Sequence, residues 1–201
     1  MLKRIYFAGA FFISLWGMSF AQTLSLGPMG GANFSTISNS PSSKTLGGLC
    51  IGAFANYSIN EHLGINGKVL FNQMGTGFEN TDAIVRLNYI SVPISAVYFF
   101  GNIGNKIRPK LFAGLYAAYL LNAKDKNGND IVLPNGNDVY SSADFGGLLG
   151  AGLNFSLASR TWLNVDASYN TSFNSVVDQT NSSNKNTGFQ ITVGVSFPIS
   201  Q

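Results

Sequence analysis

One cysteine, one histidine and few charged side chains set the first limits on this chain of 201 residues. Cys50 can close no intramolecular disulfide, so an exported domain of this sequence must be held by burial and closure. With His62 as the lone histidine there is no cysteine/histidine zinc spacing. No glycine-rich phosphate loop leads into a helix either. Charged residues are 10% of the chain, against about a quarter in ordinary globular proteins. With 45% hydrophobic residues, the chain is nonetheless not the charge-rich, apolar-poor type that stays disordered. Beyond the N-terminus no apolar run approaches about 20 residues, which excludes a polytopic helical membrane protein. What the chain does have is 23 glycines and 13% aromatics, a composition that suits a β protein.

The N-terminus reads as a targeting segment. Lys3 and Arg4 precede an apolar stretch from Ile5 to Phe20, and Ser19-Phe20-Ala21 offers small residues at the −3 and −1 positions of a cleavage site. The run of about 16 residues is short of a bilayer span, so residues 1–21 are expected to be removed as a signal peptide, leaving a 22–201 domain. No cysteine follows the cleavage site, which argues against a lipid anchor. Cleavage takes two basic residues and no acid, so the net charge falls from +3 to +1. The remaining basic side chains are scattered, and nucleic acid is not an expected partner.

Period-two alternation recurs through the rest. Leu49, Ile51, Ala53, Ala55, Tyr57 and Ile59 share one face of a strand, with Cys50, Gly52, Phe54, Asn56 and Ser58 on the other. Leu63, Ile65, Val69 and Phe71 oppose Asn66, Lys68 and Asn72. Leu163, Val165, Ala167 and Tyr169 oppose Asn164, Asp166, Ser168 and Asn170. Phe189, Ile191, Val193, Val195 and Phe197 oppose Gln190, Thr192, Gly194 and Ser196. Weaker patterns place four more strands at Leu24 to Phe34, Leu87 to Phe100, Lys110 to Asn122 and Phe145 to Phe155. The third of these is apolar on both faces. As a helix, its apolar stretch would be only about 16 Å long, whereas as a tilted strand it matches the 9–11 residues that cross a membrane.

Links after even-numbered strands are short: Asn60-Glu61-His62, Gly101 to Pro109, and Ser156 to Arg160. Those after odd-numbered strands are long: Ser35 to Thr45, Gly75 to Arg86, Ala123 to Asp144, and Asn174 to Asn186. The long links carry most of the charge, including Glu79, Asp82, Lys124, Asp125, Lys126, Asp130, Asp138, Asp178 and Lys185. This is the pattern of an all-β, eight-stranded, antiparallel up-and-down transmembrane β-barrel with short periplasmic turns and longer outside loops. In lipid every backbone polar group must be paired, which forces closure. An eight-stranded barrel has room inside only for side chains, and Phe54, Lys68, Asn72, Tyr89, Asp166 and Asn170 are expected to fill it. Tyr57, Tyr98, Phe99, Phe100, Phe155 and Trp162 are expected to form an aromatic girdle at the periplasmic rim. Tyr119 and the Tyr169 to Phe173 stretch are expected to form the other.

The chain resembles the PorT-type outer-membrane β-barrel family of Bacteroidetes, of OmpA/OmpX-like architecture. The matching stretches are Gly30-Gly31-Ala32-Asn33-Phe34-Ser35, Gly52-Ala53-Phe54-Ala55, Leu70-Phe71-Asn72-Gln73-Met74-Gly75, Leu87-Asn88-Tyr89-Ile90-Ser91-Val92-Pro93, Phe112-Ala113-Gly114, and Gly146-Gly147 with Gly150-Ala151-Gly152. The resemblance implies an eight-stranded barrel of the Gram-negative outer membrane and, for most members, no assigned activity. The family's named member is linked to secretion and gliding, and no residue of this chain sets it apart from the many members without that role. The chain departs from many such barrels at its end, where Phe197 is followed by Pro198-Ile199-Ser200-Gln201.

Candidate chemistry is sparse. His62 falls in a turn, away from the rim where a lipid-modifying triad would work, and Cys50 points inward as a small filler thiol. Asp125-Lys126-Asn127-Gly128-Asn129-Asp130 has oxygen ligands, but its glycine is fourth rather than sixth and no glutamate follows at twelve, so it reads as a turn rather than a calcium loop. The one pair singled out is Lys68 with Asp166. Each is the sixth residue of its strand from the same rim, in strands on opposite sides of the ring, so they are expected to meet inside. No catalytic, cofactor-binding or metal-binding residue is expected. The expected partners are outer-membrane lipid and a protein reached through the outside loops. The leading reading is a non-enzymatic barrel with a structural or binding role; the alternatives are a secreted lipocalin-like carrier and a lipid-modifying enzyme.

Overall fold

The computed structural model describes residues 24–39, 42–133, 139–177 and 184–199; the expected signal peptide lies outside them, as do Asp138 and Asp178. Eight strands follow one another: β1 (Leu24–Ile37), β2 (Ser43–Ser58), β3 (Leu63–Phe78), β4 (Ile84–Phe99), β5 (Ile107–Lys124), β6 (Ala143–Ala158), β7 (Thr161–Ser172) and β8 (Asn186–Pro198). Each pairs antiparallel with its sequence neighbours, and β1 also pairs with β8, from Ser25 opposite Pro198 to Ile37 opposite Asn186. The ring is closed and has no free edge, as lipid demands. The stretch apolar on both faces is strand β5, not a helix.

Alternation sets the faces as the sequence implied. Leu49, Ile51, Val69, Ile94, Leu115, Leu149, Phe189 and Ile191 are exposed on the outside, while Asn66, Lys68, Asn72, Asn164, Asp166 and Gln190 are buried inside. An outer surface this apolar with a polar interior inverts the arrangement of a soluble carrier. It suits a hydrocarbon surround. The β5 alternation breaks once. Asn88 pairs with Asn122 but Tyr89 with Leu120, leaving Leu121 as a bulge that restores Ala123 to the inside.

Three expectations need correction. The strands run several residues past their predicted outer ends, so the first two odd links shrink to 38–42 and 79–83, and only 125–142 and 173–185 stay long. The even link 100–106 is longer than either shortened one. Thr, Ser and Gly at these strand ends look like loop residues in isolation. They continue as strand because Ile37, Met74, Val85, Leu87, Tyr89, Tyr116 and Val176 pack into an apolar cluster inside the extended hairpins. Finally, Phe99 is not a girdle residue. It is buried with Val97 and Phe112, and Trp162 shares the inward parity of Asn164 and Asp166 and lines the mouth there.

Candidate functional site

Four links gather at one rim, the loop end, while β1 begins and β8 finishes at the other, the terminal end. Between them the lumen is filled in layers. Under the apolar cluster at the loop end, Asn186 Nδ2 donates to Asp144 Oδ2 at 3.1 Å and to the Tyr89 hydroxyl at 3.3 Å, and the Tyr116 hydroxyl lies 3.1 Å from Ser172 Oγ. Deeper, Gln190 Nε2 donates to Asn33 Oδ1 at 2.8 Å and Asn72 Oδ1 at 3.0 Å, and Asn72 Nδ2 to Ser91 Oγ at 2.6 Å. Cys50 Sγ sits 3.3 Å from the same Gln190 nitrogen. Buried amides satisfied by each other hold a narrow lumen without leaving costly unpaired donors.

The charged layer comes next. Lys68 Nζ on β3 lies 3.2 Å from Asp166 Oδ2 on β7, and Lys110 Nζ on β5 lies 2.7 Å from Asp166 Oδ1. All three side chains are at most 7% exposed. One carboxylate therefore serves two ammonium groups. Asn164 Oδ1 adds a contact to Lys110 at 3.4 Å, and Lys68 Nζ stands 5.4 Å from the centre of the Phe112 ring. Gly152 on β6 is in register with both Lys110 and Asp166. A Cβ there would come within 2.4 Å of Asp166 Oδ1 and 2.8 Å of Lys110 Cε, so its missing side chain makes room for the ion pair. Lys110 was not singled out from sequence. It follows Pro109 at the start of the least clearly alternating strand, although its parity with the buried Phe112 and Tyr116 marks it as inward.

Below this layer the barrel opens. A cavity of about 840 Å³ at the terminal end is lined by Arg108, Arg160, Glu61, Asn154, Trp162 and Phe99, among others. Arg108 is anchored: its Nη2 donates to the Glu61 carbonyl, and its guanidinium lies 5.0 Å from the centre of the Phe99 ring.

His62 Nδ1 contacts the Phe99 carbonyl at 3.0 Å, and the ring stacks on Tyr98 with centroids 5.9 Å apart. It is a rim-turn residue, and its neighbours include no nucleophile. In the Asp125 segment, Asp125 Oδ1 accepts the amides of Asn127 and Asn129, both at 2.8 Å, and Oδ2 accepts Asn129 Nδ2 at 3.1 Å. The carboxylate is spent on capping a turn rather than presented to a cation. These bonds hold its pKa below the usual carboxylate range, with the Asn129 side chain the largest cause. Asp82 is lowered too, by the hydrogen bond and charge of Lys126 at 2.8 Å.

A model of the outer membrane protein beta-barrel domain family matches residues 20–178. The chain belongs to this family. Among solved structures it is similar to Neisserial surface protein A, at 18% identity over 87% of this chain and 97% of that one, with a TM-score of 0.55. It is also similar to the outer membrane protein OprG from Pseudomonas aeruginosa, at 9% identity over 90% and 96%, with a TM-score of 0.53. At such identities the likeness speaks for the fold alone. No curated relative matches the chain. Membership in an outer-membrane family, together with an outward apolar face, sets aside the soluble lipocalin-like reading.

Proposed function

We propose that this member of the family is a non-enzymatic barrel that binds a partner through its loop end, with that end outside the cell, the terminal end in the periplasm, and residues 1–21 removed on export. The observation that carries the reading is the way the loop-end links are tied to one another above a filled lumen. The Ser141 amide donates to the Val176 carbonyl at 2.9 Å, Tyr140 and Val177 form an antiparallel bridge, and Val176 itself is fully buried in the apolar cluster. Lys126 on the 125–142 link pairs with Asp82 on the 79–83 link. Links fastened to each other over a closed plug suit a recognition surface better than a gate. Outer-membrane lipid is the other partner, met by the outward apolar face.

Within the family, the PorT-type grouping rests on Asn88-Tyr89…Pro93. These residues do structural work here: Asn88 donates to Asn122 at the β5 bulge, and Tyr89 is fully buried under the loop-end plug.

Impermeant maleimide labelling of intact cells tests the orientation. Cys50 is buried and should stay silent, so Asn127→Cys, on an exposed turn, should label without lysis. Labelling only after lysis would refute the reading. Altered lipid A in a strain lacking the gene would replace a binding role with an enzymatic one.

A further inference from the structure

The cavity at the terminal end is outside the filled part of the lumen, and its chemistry is one-sided. Arg108 and Arg160 line it, Lys106 stands on the adjoining 100–106 link, and Glu61 is the acid on its wall. The layer above adds two lysines against one aspartate. The field in the mouth is therefore positive, and low-dielectric walls concentrate it. Arg108 also carries a buried donor on the cavity wall with no hydrogen-bond partner, its Nε. The rest of the lining interleaves serines and asparagines with Trp162, Phe99, Ile59 and Ile103. A volume of about 840 Å³ falls in the range of small-molecule sites.

We infer that this mouth binds a small organic anion with an apolar body, of the class of a medium-chain carboxylate, its head at Arg108 and its chain along Trp162 and Ile103. Arg108 is suited to the head because the Phe99 ring and the Glu61 carbonyl already fix its guanidinium, so little side-chain freedom is lost on binding. Arg160 sits in the two-residue β6–β7 turn with φ 60° and extends the positive rim. The inference does not depend on the loop-end reading, and either can fail alone.

The chain supplies its own reporter. Its two tryptophans are Trp16, in the segment removed on export, and Trp162, so the exported barrel, or the full-length chain carrying Trp16→Phe, reports from the cavity wall only. Folded barrel in lipid nanodiscs is titrated with octanoate and, in parallel, with octanol, while Trp162 emission is followed. Octanoate should give a saturable change, and octanol should give none. Arg108→Gln should weaken octanoate binding at least tenfold. Should that variant fail to fold, Arg160→Gln at the exposed turn decides, with an expected loss of threefold or more. No saturable change with octanoate, the same response to octanol, or an octanoate affinity that a folded Arg108→Gln or Arg160→Gln variant leaves unaltered would each overturn the site.

Discussion

Replacing Asp166 by Asn keeps the shape of the side chain and removes the anion that two lysines share. Breaking a buried pair by deleting one partner costs about 3–5 kcal/mol, because the orphaned charge stays buried. Here two ammonium groups are orphaned together. Lys110 keeps Asn164 Oδ1 at 3.4 Å and the Phe112 ring at 6.0 Å, and Lys68 keeps the same ring at 5.4 Å. The loss belongs at the upper end of that range, a large share of the roughly 5–15 kcal/mol that holds a typical domain folded. Lys68→Met alone has a different outcome. It leaves one cation facing one anion at 2.7 Å, so its stability should lie within about 1 kcal/mol of the parent. Asp166→Asn combined with Lys68→Met should recover part of the loss, and adding Lys110→Met should recover most of it. Urea unfolding in lipid vesicles, followed by Trp162 emission, ranks the set. An Asp166→Asn barrel with the parent's midpoint, or a triple variant no more stable than the single, would refute the argument that the carboxylate neutralises the lumen.

Gly152→Ala should cost about 1–3 kcal/mol by overpacking, since its Cβ would meet Asp166 Oδ1 at 2.4 Å and the Val165 carbonyl at 2.6 Å. Gly47→Ala, whose Cβ meets nothing within 4 Å, should leave the urea midpoint unchanged. In carboxyl-carbon NMR titrations, Asp82 and Asp125 should both titrate below the usual value of about 3.9. Lys126→Gln should raise Asp82 toward that value and leave Asp125 low, because amide hydrogen bonds hold Asp125; joint movement of the two would contradict the separate causes. Both pKa values are depressed, so the contribution of these contacts is present above the ordinary carboxylate range and lost as pH falls through the folded values. On SDS gels, unboiled protein from the outer-membrane fraction should migrate apart from boiled protein. A soluble chain with no shift would mean that the faces are assigned inside out.

The faces were legible because a barrel wall in lipid has one oily and one polar side, and a two-residue period records that directly. The strand ends were not. Ser35, Thr36, Thr45 and Thr76 carry no hydrophobic signal, and what extends their strands is Val176, which reaches the same cluster from the far β7–β8 link. Counting aromatics by nearness to a rim also misled. Phe99 sits next to Tyr98 and Phe100 in sequence, yet its parity puts it inside with Val97, while they stay exposed.

The charged layer shows the deeper limit. Alternation tells which side chains enter a lumen but not at what height they meet, since height depends on strand tilt and shear as well as on position along each strand. Lys68 and Asp166 are equal steps from one rim on strands across the ring, so counting alone brings them together. Lys110 is only the fourth residue of β5, two steps nearer the rim by that count, yet it makes the shorter contact with Asp166. The stagger across β5, β6 and β7 aligns Lys110, Gly152 and Asp166 in one row. A glycine inside a small barrel, flanked in register by a lysine and an aspartate, is therefore a signal in its own right. It marks where two neighbours on either side can reach past the strand between them, and it turns an apparent one-to-one ion pair into a layer with a cation to spare.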